Sequence, residues 1–244
     1  KAKTLYYLII FIALVSFTPF CLAARHIFIY DFMSWEYAQG YCRSHYTDLL
    51  PLTNDLEKQE FFWSVDDNHE GWIGLRWDTA NQKWKWSGGT DAVSVYREIL
   101  EQQPSSADAV VQGKWSSEVS DSTHAYRFFC LNLIVVQEEK TWEEALEHCR
   151  QNHGDLTSLL SKTGNLLAQR EIQDPTITQR VWVGLRFLGD TWLWANGDPV
   201  EFQAWTHTGD PDQQCPVQKR CGALSKQGEW ENRDCQEKLN FICI

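Results

Sequence analysis

The 244-residue chain carries 33 acidic residues against 22 lysines and arginines, for a formal net charge of −11. Its positive charges are scattered, which argues against nucleic acid and anionic membrane surfaces as partners, because both are bound through clustered cations. A chain of this length could form one large domain or two domains of about 110 residues each.

The N-terminal segment predicts a secretory signal peptide over residues 1–23. Lys1 and Lys3 precede an apolar run over residues 5–17, and small residues follow Pro19. A basic flank, an apolar core and a small-residue cleavage site are typical of such signals. The alternative is an uncleaved membrane anchor, but the run is shorter than the roughly 18–20 residues that a span needs. We therefore expect a secreted, extracellular product without a membrane span in the mature chain, with a formal net charge of −13.

Seven cysteines follow the predicted signal peptide, and none forms a Cys-x-x-Cys pair of the kind used by zinc and redox sites. In an oxidising secretory compartment such cysteines are expected to form disulfides. Because seven is odd, one thiol is left over. The seven are Cys42, Cys130, Cys149, Cys215, Cys221, Cys235 and Cys243.

The chain contains an internal repeat. Residues 34–49 match residues 141–156 at an offset of 107, with Trp, Glu, Ala, Cys, Arg, Asp and Leu recurring at the same places. Three further blocks match in the same order: 72–77 with 182–187, 84–86 with 192–194, and 126–130 with 239–243. Repetition of this kind predicts two domains joined by almost no linker. We assign residues 24–130 to domain 1 and residues 131–244 to domain 2.

Each copy is predicted to begin with an amphipathic helix. Ser34 and Thr141 are suitable N-caps. Trp35, Ala38 and Cys42 then follow at helical spacing, so the first cysteine of each copy is expected to point into the core. Second helices are predicted over residues 56–65 and 162–172.

Short strands are predicted to follow the helices. The Trp-Ile-Gly-Leu segment at Trp72 and the Trp-Val-Gly-Leu segment at Trp182 are short apolar runs that indicate buried strands. The two Trp-x-Trp segments and the segments that end in Cys130 and Cys243 also have strand character. Helices followed by short strands in a disulfide-closed unit predict an α+β fold class.

This ordered set of motifs resembles the C-type-lectin-like domain, once per copy over nearly all of the mature chain. The matching features are the Trp-x-x-Ala-x-x-x-Cys helix, the Trp-Ile/Val-Gly-Leu strand, the Trp-x-Trp strand and the closing aromatic-x-Cys. The resemblance implies a long disulfide in each copy and a short one bracing the loop of the second. The implied pairs are Cys42–Cys130, Cys149–Cys243 and Cys221–Cys235.

The resemblance also implies a ligand-binding loop between the Trp-x-Trp strand and the last cysteine, where the family often binds sugars through calcium. Calcium takes about six to eight oxygen ligands. In domain 2, Asp210-Pro211-Asp212 stands where the family has Glu-Pro-Asn or Gln-Pro-Asp. Trp230-Glu231-Asn232 stands where it has Trp-Asn-Asp, five residues before Cys235. Both triplets are altered, so calcium binding by Asp210, Asp212, Glu231 and Asn232 is the less favoured interpretation.

The residues around these triplets weaken the calcium interpretation further. No acidic residue lies between Asp212 and Glu229, and Lys219 and Arg220 occupy the approach to Cys221, where a carboxylate would be expected. Asp234 is a spare oxygen donor outside the motif. We therefore expect no cofactor, with Ca²⁺ as the alternative.

The loop of domain 1 departs further from the family pattern. From Trp86 to Trp115 it spans 29 residues, against 36 from Trp194 to Trp230. It lacks the proline triplet and the inner cysteine pair, so calcium-dependent sugar binding by this copy is not expected.

The tryptophans in the repeated blocks are expected in the core, namely Trp35, Trp72, Trp84, Trp86, Trp142, Trp182, Trp192 and Trp194. Trp205, with His207, precedes the first triplet and is expected either to wall the loop or to contact ligand. Cys215 could pair with Cys221 or Cys235 in another connectivity, or bridge to a second chain as a disulfide-linked dimer.

Catalytic motifs such as Gly-x-Ser-x-Gly or His-Glu-x-x-His are absent from the sequence, so we do not expect an enzyme. We expect a secreted recognition protein that binds a protein or glycan through the loop of domain 2, without the usual calcium coordination. The alternative is a calcium-dependent carbohydrate-binding lectin. The candidate ligand-binding residues are Trp205, His207, Asp210, Asp212, Lys219, Arg220, Glu231 and Asn232.

Overall fold

The computed structural model describes residues 25–65, 69–92, 124–206 and 216–244, together with the backbone of residues 108–112 and 116–120. The predicted signal peptide over residues 1–23 therefore lies outside the described residues. Within them, helices and short strands follow one another in the same order in both copies. The predicted α+β fold class is confirmed.

Each copy contributes two helices to the described part of the chain, close to the predicted bounds. The second helix of each copy begins or ends one residue from the prediction, within the usual uncertainty of helix ends. The helices are α1 (Trp35–His45), α2 (Asp55–Ser64), α3 (Trp142–Asn152) and α4 (Lys162–Glu171).

Side-chain caps fix where three of these helices begin. Thr141 and Glu144 form a reciprocal capping box at α3, which satisfies two backbone donors. Asn54 caps α2 and Ser161 caps α4, each accepting a hydrogen bond from a backbone N–H of the first turn. Ser34 occupies the N-cap position of α1, but its side chain makes no capping hydrogen bond.

The strands are short and divide between the two copies. Domain 1 contains β1 (His26–Met33), β2 (Asp48–Leu49), β3 (Glu70–Asp78), β4 (Lys83–Trp86), β5 (Asp108–Gln112), β6 (Ser116–Ser120) and β7 (Tyr126–Leu131). Domain 2 contains β8 (Ile134–Lys140), β9 (Arg180–Leu188), β10 (Thr191–Trp194), β11 (Cys221–Ser225), β12 (Trp230–Arg233) and β13 (Leu239–Cys243).

Each domain has its own mixed sheet. The first has the order β1-β7-β3-β5-β6, with β2 on β7 and β4 on β3, and the second has the order β12-β11-β9-β13-β8, with β10 on β9. In both, the last strand lies between the first strand, to which it is antiparallel, and the Trp-x-Gly-Leu strand, to which it is parallel. The start and end of each copy therefore pair with each other at one edge of its sheet.

Three disulfides close the two copies. Cys42–Cys130 and Cys149–Cys243 each join the first helix of a domain to its last strand, and Cys221–Cys235 joins β11 to the turn after β12. These are the pairs that the family resemblance implies. Cys215 lies outside the described residues.

Buried tryptophans tie the helices to the sheets in the same way in both copies. The indole N–H of Trp35 donates to the carbonyl of Ile73 at 2.8 Å, and that of Trp142 donates to Val183 at 2.9 Å. Seven of the eight tryptophans expected in the core are buried there. Trp192 is the exception: it is half-buried and packs against the outside of the core cluster.

The two domains share one hydrophobic core. A single cluster of buried side chains combines Leu50, Leu52 and Phe61 of domain 1 with Leu160 and Leu167 of domain 2. Helix α2 of domain 1 and helix α4 of domain 2 both bury apolar residues in this cluster. The close sequence linkage of the copies is thus matched by direct packing of one domain on the other.

Buried carboxylates reinforce the contact between the domains. The carboxylate of Asp48 is fully buried and accepts hydrogen bonds from Arg43 Nε at 3.1 Å and from Arg170 Nη1 of the other domain at 3.2 Å. The carboxylate of Glu57 accepts a hydrogen bond from the Ser161 hydroxyl at 2.7 Å. Removing one partner would leave the other charge or donor buried without compensation.

A third carboxylate, that of Glu60, lies at the same contact. Arg25 Nη1 donates to Glu60 Oε2 at 3.2 Å, and Asn196 Nδ2 lies 3.4 Å from Glu60 Oε1. Burial raises the pKa of Glu60 to about 7; Asp198 raises it further through a hydrogen bond and its charge, while Arg25 opposes the rise. A carboxyl group that titrates near neutral pH therefore lies between the domains.

Candidate functional site

The predicted ligand-binding surface of domain 2 lies where β10 ends and β12 begins. The structure describes residues 195–206 and 216–233 of this region. Four residues singled out from the sequence lie outside the described residues: His207, Asp210, Asp212 and Cys215. The rest of the candidate set is placed by β11 and β12, which pair with each other antiparallel.

An aromatic cluster supports the described part of this surface. Trp230 is fully buried, and its indole N–H donates to Asn165 Oδ1 on α4 at 2.7 Å. Trp205 is half-buried, with its ring centroid 5.6 Å from that of Trp230 and 4.9 Å from that of Trp192. The Thr206 N–H donates to the Trp230 carbonyl at 3.1 Å. Trp205 therefore packs against Trp192 and Trp230 and stays partly exposed.

The carboxylate of Glu231 is engaged by arginines. Arg180, at the start of β9, donates from Nε to Glu231 Oε2, and Arg233 Nη1 lies 3.9 Å from the same oxygen. Arg233 also donates to Glu237 Oε2 at 2.8 Å. A calcium ion would have to compete with Arg180 for this carboxylate.

The remaining two oxygen donors of the predicted calcium set are placed by β12 and the following turn. Asn232 pairs with Gly222 of β11 and is half-buried. The exposed carboxylate of Asp234 accepts a hydrogen bond from the Gln236 N–H at 3.0 Å, which closes the turn before β13. In the part of the chain that the structure describes, no group of three or more His, Cys, Asp or Glu side chains could hold a metal ion. Glu231, Asn232 and Asp234 form no such group by themselves, and Asp210 and Asp212 lie outside the described residues.

Lys219 and Arg220 are exposed immediately before β11. The Arg220 backbone carbonyl accepts a hydrogen bond from the Phe187 N–H at 2.9 Å, and its side-chain Nε donates to the Pro216 carbonyl at 3.1 Å. These bonds fix the segment to the end of β9 and leave both cations facing solvent. The surface beside the loop is therefore cationic, although the chain as a whole is acidic.

Arg186 braces the short disulfide next to this surface. Its Nη1 donates to Glu143 at 2.7 Å and lies 2.9 Å from Cys221 Sγ and 3.2 Å from Cys235 Sγ. Its guanidinium also stacks over the ring of Trp142 at 4.9 Å. Domain 1 repeats the arrangement without a disulfide, because Arg76 pairs with Glu36 at 2.8 Å and stacks over Trp35. The arginine is thus a feature of the fold, whereas its contact with sulfur is specific to domain 2.

Sequence reasoning missed Arg180. It lies 51 residues before Glu231 and belongs to none of the repeated blocks, so its pairing becomes visible only when β9, β11 and β12 are side by side. A cation at the start of the Trp-Val-Gly-Leu strand is the one signal in the sequence, and alone it does not indicate a partner.

A family model described as "Lectin C-type domain" matches residues 31–130 and again residues 138–244. The chain belongs to this family. Proteins with C-type lectin domains are in general non-enzymatic binding proteins. Among the residues that the structure describes, no helix is both long enough and apolar enough to cross a membrane.

Several curated C-type lectin proteins are similar to this chain. The secretory phospholipase A2 receptor of Bos taurus is 22% identical over 253 residues, which cover 86% of this chain and 17% of the receptor. Human lymphocyte antigen 75 is 22% identical over 251 residues, which cover 86% of this chain and 14% of the antigen. Human FRAS1-related extracellular matrix protein 1 is 25% identical over 142 residues, which cover 53% of this chain and 6% of the matrix protein. The chain therefore spans less than a fifth of the length of these relatives.

Solved structures align with about half of the chain. Human lithostathine aligns with a TM-score of 0.41 and 23% identity, covering 46% of this chain and 88% of its own. The mouse scavenger receptor C-type lectin carbohydrate-recognition domain aligns with a TM-score of 0.40 and 25% identity. The alignment covers 46% of this chain and 84% of that domain.

Proposed function

We propose that this C-type lectin chain is a secreted recognition protein that binds a protein or glycan ligand through the loop surface of domain 2, without calcium coordination. The predicted signal peptide and the three disulfides support an extracellular location, since disulfides persist in oxidising compartments. The exposed Lys219 and Arg220 and the half-buried Trp205 supply cationic and aromatic contacts for the ligand.

The engagement of Glu231 by Arg180 is the observation that carries the calcium-independent mechanism. A bound calcium ion needs several carboxylate or amide oxygens directed at one point. Here the carboxylate of the second triplet is neutralised by a guanidinium, and two more cations precede β11. A divalent cation at this place would be repelled by the guanidinium groups of Arg180 and Arg220.

Calcium titration by calorimetry tests this mechanism. The protein should be the whole secreted chain, because domain 2 shares its core with domain 1 and is not expected to fold well alone. We expect no saturable binding at millimolar calcium. Saturable binding that disappears in Asp210→Ala/Asp212→Ala would contradict the proposal and favour the calcium-dependent lectin.

An Arg180→Gln variant sharpens this experiment. It removes the guanidinium while keeping a side chain that can hydrogen-bond to Glu231. Calcium binding gained only in this variant would show that Arg180 is what suppresses a metal site. If neither protein binds calcium, then other residues of the loop prevent calcium binding.

A ligand screen tests the loop surface itself. The secreted chain is applied to a glycan array and to an array of extracellular proteins, with and without EDTA. Binding is expected to resist EDTA and to weaken in Lys219→Ala/Arg220→Ala. The matched control is Lys162→Ala/Lys238→Ala, which removes the same charge from exposed positions elsewhere in domain 2. Equal losses in both double variants would refute a role for the loop cations.

The disulfide-linked dimer remains a prediction. Because Cys221 and Cys235 bond to each other, and the other four described cysteines are also paired, Cys215 has no partner among them. Electrophoresis without reductant would show a dimer that disappears in Cys215→Ser, whereas a monomer in both samples would exclude it.

A further inference from the structure

A β-bulge on the first strand presents an aromatic surface in domain 1, far in sequence from the loop of domain 2. Ile29 pairs with Phe128 and Met33 pairs with Tyr126, so three residues of β1 lie opposite the single residue Arg127. The three are Tyr30, Asp31 and Phe32, and all are exposed. Extra residues of this kind bend a strand and change the direction of its side chains. We use "bulge patch" for Phe28, Tyr30, Phe32, His69 and Arg127.

Among the described residues, the Arg127 side chain is in contact with aromatic rings and with no hydrogen-bond acceptor. Its guanidinium carbon lies 5.1 Å from the ring centroid of Phe32 and 5.9 Å from that of Tyr30. Its Nε is buried without a hydrogen-bond partner, and none of its other donors has a protein acceptor among the described residues. The nine other arginines in the described part of the chain each donate at least one hydrogen bond to the protein. A half-buried guanidinium without an acceptor is costly unless a ligand supplies one.

The flanking rings form a platform with open faces. Tyr30 is 65% exposed and Phe32 is 63% exposed, whereas Phe28 packs inward on Phe129 with ring centroids 4.7 Å apart. His69 covers the other end of the platform, 4.3 Å from the ring centroid of Phe28. The patch therefore combines one unpaired cation with exposed flat apolar faces.

Domain 2 shows that the fold does not require this surface. Its first strand has the same bulge, because Lys140 pairs with Leu239 and Val136 pairs with Phe241. The three residues opposite Asn240 are Gln137, Glu138 and Glu139, in place of Tyr30, Asp31 and Phe32. Asn240 is buried, and its side-chain amide donates to the Gln137 carbonyl at 2.5 Å. The rings and the unpaired arginine thus belong to domain 1 alone, on a backbone that both copies share.

We propose that the bulge patch is a second binding site, which takes a saccharide bearing an anionic group, either sulfate or carboxylate. A guanidinium offers paired donors that match both anions. The apolar C–H faces of a sugar ring suit the open faces of Tyr30 and Phe32. The patch is small, with one cation and two exposed rings, and so fits one or two sugar rings better than a protein interface of about 800 Å² per partner.

The net negative charge of the chain distinguishes binding of an anionic saccharide at the bulge patch from non-specific electrostatic attraction. With a formal net charge of −13 after signal removal, the whole protein repels polyanions. Binding of a polyanion then requires a local site. This site is independent of the loop surface in domain 2, so either proposal can fail without the other.

The test measures binding of the whole secreted chain to immobilised dextran sulfate, polygalacturonate and neutral dextran. Arg127→Met removes the charge and keeps the aliphatic stem between the rings. We expect binding to at least one anionic polymer, none to neutral dextran, and a loss of about tenfold or more in Arg127→Met. Binding to dextran sulfate alone, or to polygalacturonate alone, assigns the anion. Lys162→Met is the matched control, because it removes the same charge from an exposed position at the start of α4, outside both proposed sites, and it should leave this binding unchanged.

A second variant guards against misfolding of the first. Tyr30→Ser removes an exposed ring, and its thermal midpoint should equal that of the wild type. It should weaken saccharide binding while leaving any binding to poly-glutamate unchanged. Three results would overturn the proposal: no binding to either anionic polymer, equal affinity in Arg127→Met and the wild type, or equal binding to poly-glutamate and the anionic polysaccharides.

Discussion

Replacing Glu60 by glutamine removes a titrating group from the contact between the two domains and changes how stability depends on pH. In the folded protein, burial raises the pKa of Glu60 to about 7, with Asp198 adding to the rise and Arg25 opposing it. In the unfolded chain the same carboxyl ionises near its ordinary value of 4.5. Between these two values the folded state holds more protons than the unfolded state. Stability is therefore fully present below pH 4.5 and falls as the pH rises through 7.

The size of the stability loss follows from the difference between the pKa values of Glu60 in the folded and unfolded states. Each pKa unit corresponds to about 1.36 kcal/mol, so the loss between pH 4.5 and pH 8 is at most about 3 kcal/mol. The side chain of Glu60 is 25% exposed, and solvent screening reduces this figure to about 2 kcal/mol. Glutamine imitates the protonated carboxyl: its oxygen can accept from Arg25 and its amide can donate to Asp198. Glu60→Gln should thus match the wild type near pH 5 and exceed its stability by about 2 kcal/mol at pH 8.

The assay is urea unfolding of the whole secreted chain at pH 5, 6, 7 and 8. Every other titrating group is common to the two proteins, so the difference between their free energies of unfolding isolates Glu60. Glu147→Gln, an exposed position on α3, is the matched control and should show no trend with pH. A difference between Glu60→Gln and the wild type that is the same at pH 5 and pH 8 would refute the raised pKa.

Three further substitutions test the packing. Asp48→Ala should lower the unfolding free energy by about 1–3 kcal/mol, because the Leu49 N–H and the Ser87 hydroxyl lose a buried acceptor, whereas Arg43 and Arg170 are partly exposed and regain water; calorimetry should show the loss. Trp230→Phe should lower the unfolding free energy by about 1–3 kcal/mol, because Asn165 Oδ1 loses its hydrogen bond from the indole N–H and stays buried. The control Trp63→Phe, at a position that is 77% exposed, should leave the unfolding free energy unchanged. Gly222→Ala should lower the unfolding free energy by about 1–3 kcal/mol, because the added methyl group would lie 2.6 Å from Leu185 Cβ on β9. An unchanged thermal midpoint would contradict this.

Local patterns were sufficient to predict both helices and three of the strands of each copy. The spacing of Trp35, Ala38 and Cys42 predicts one buried helix face, and these are the three buried residues of α1. The Trp-Ile-Gly-Leu segment predicts a buried strand, and β3 is buried over nearly its whole length. In both cases neighbours within a few residues determine the outcome, which is why a single sequence carries the information.

Long-range pairing could not be predicted in this way. Asp48 and Arg170 are 122 residues apart, and Arg180 and Glu231 are 51 apart. The apolar face of α4 indicates that Leu167 is buried, but not that part of its surroundings comes from the other domain. Trp192 was wrongly expected in the core because its strand motif resembles that of the buried Trp84. The motif alone does not distinguish the buried Trp84 from the half-buried Trp192.

The shared core of the two domains has a consequence for avidity. Where two binding modules are joined by a flexible linker, the effective concentration of the second site is set by the length of that linker. Here Leu50 and Phe61 of one domain pack with Leu160 and Leu167 of the other, so the spacing between the bulge patch and the loop surface is fixed by side-chain packing. A ligand that carries both matching groups at that spacing would gain affinity without paying the entropy of linker closure. One with another spacing would bind through a single site.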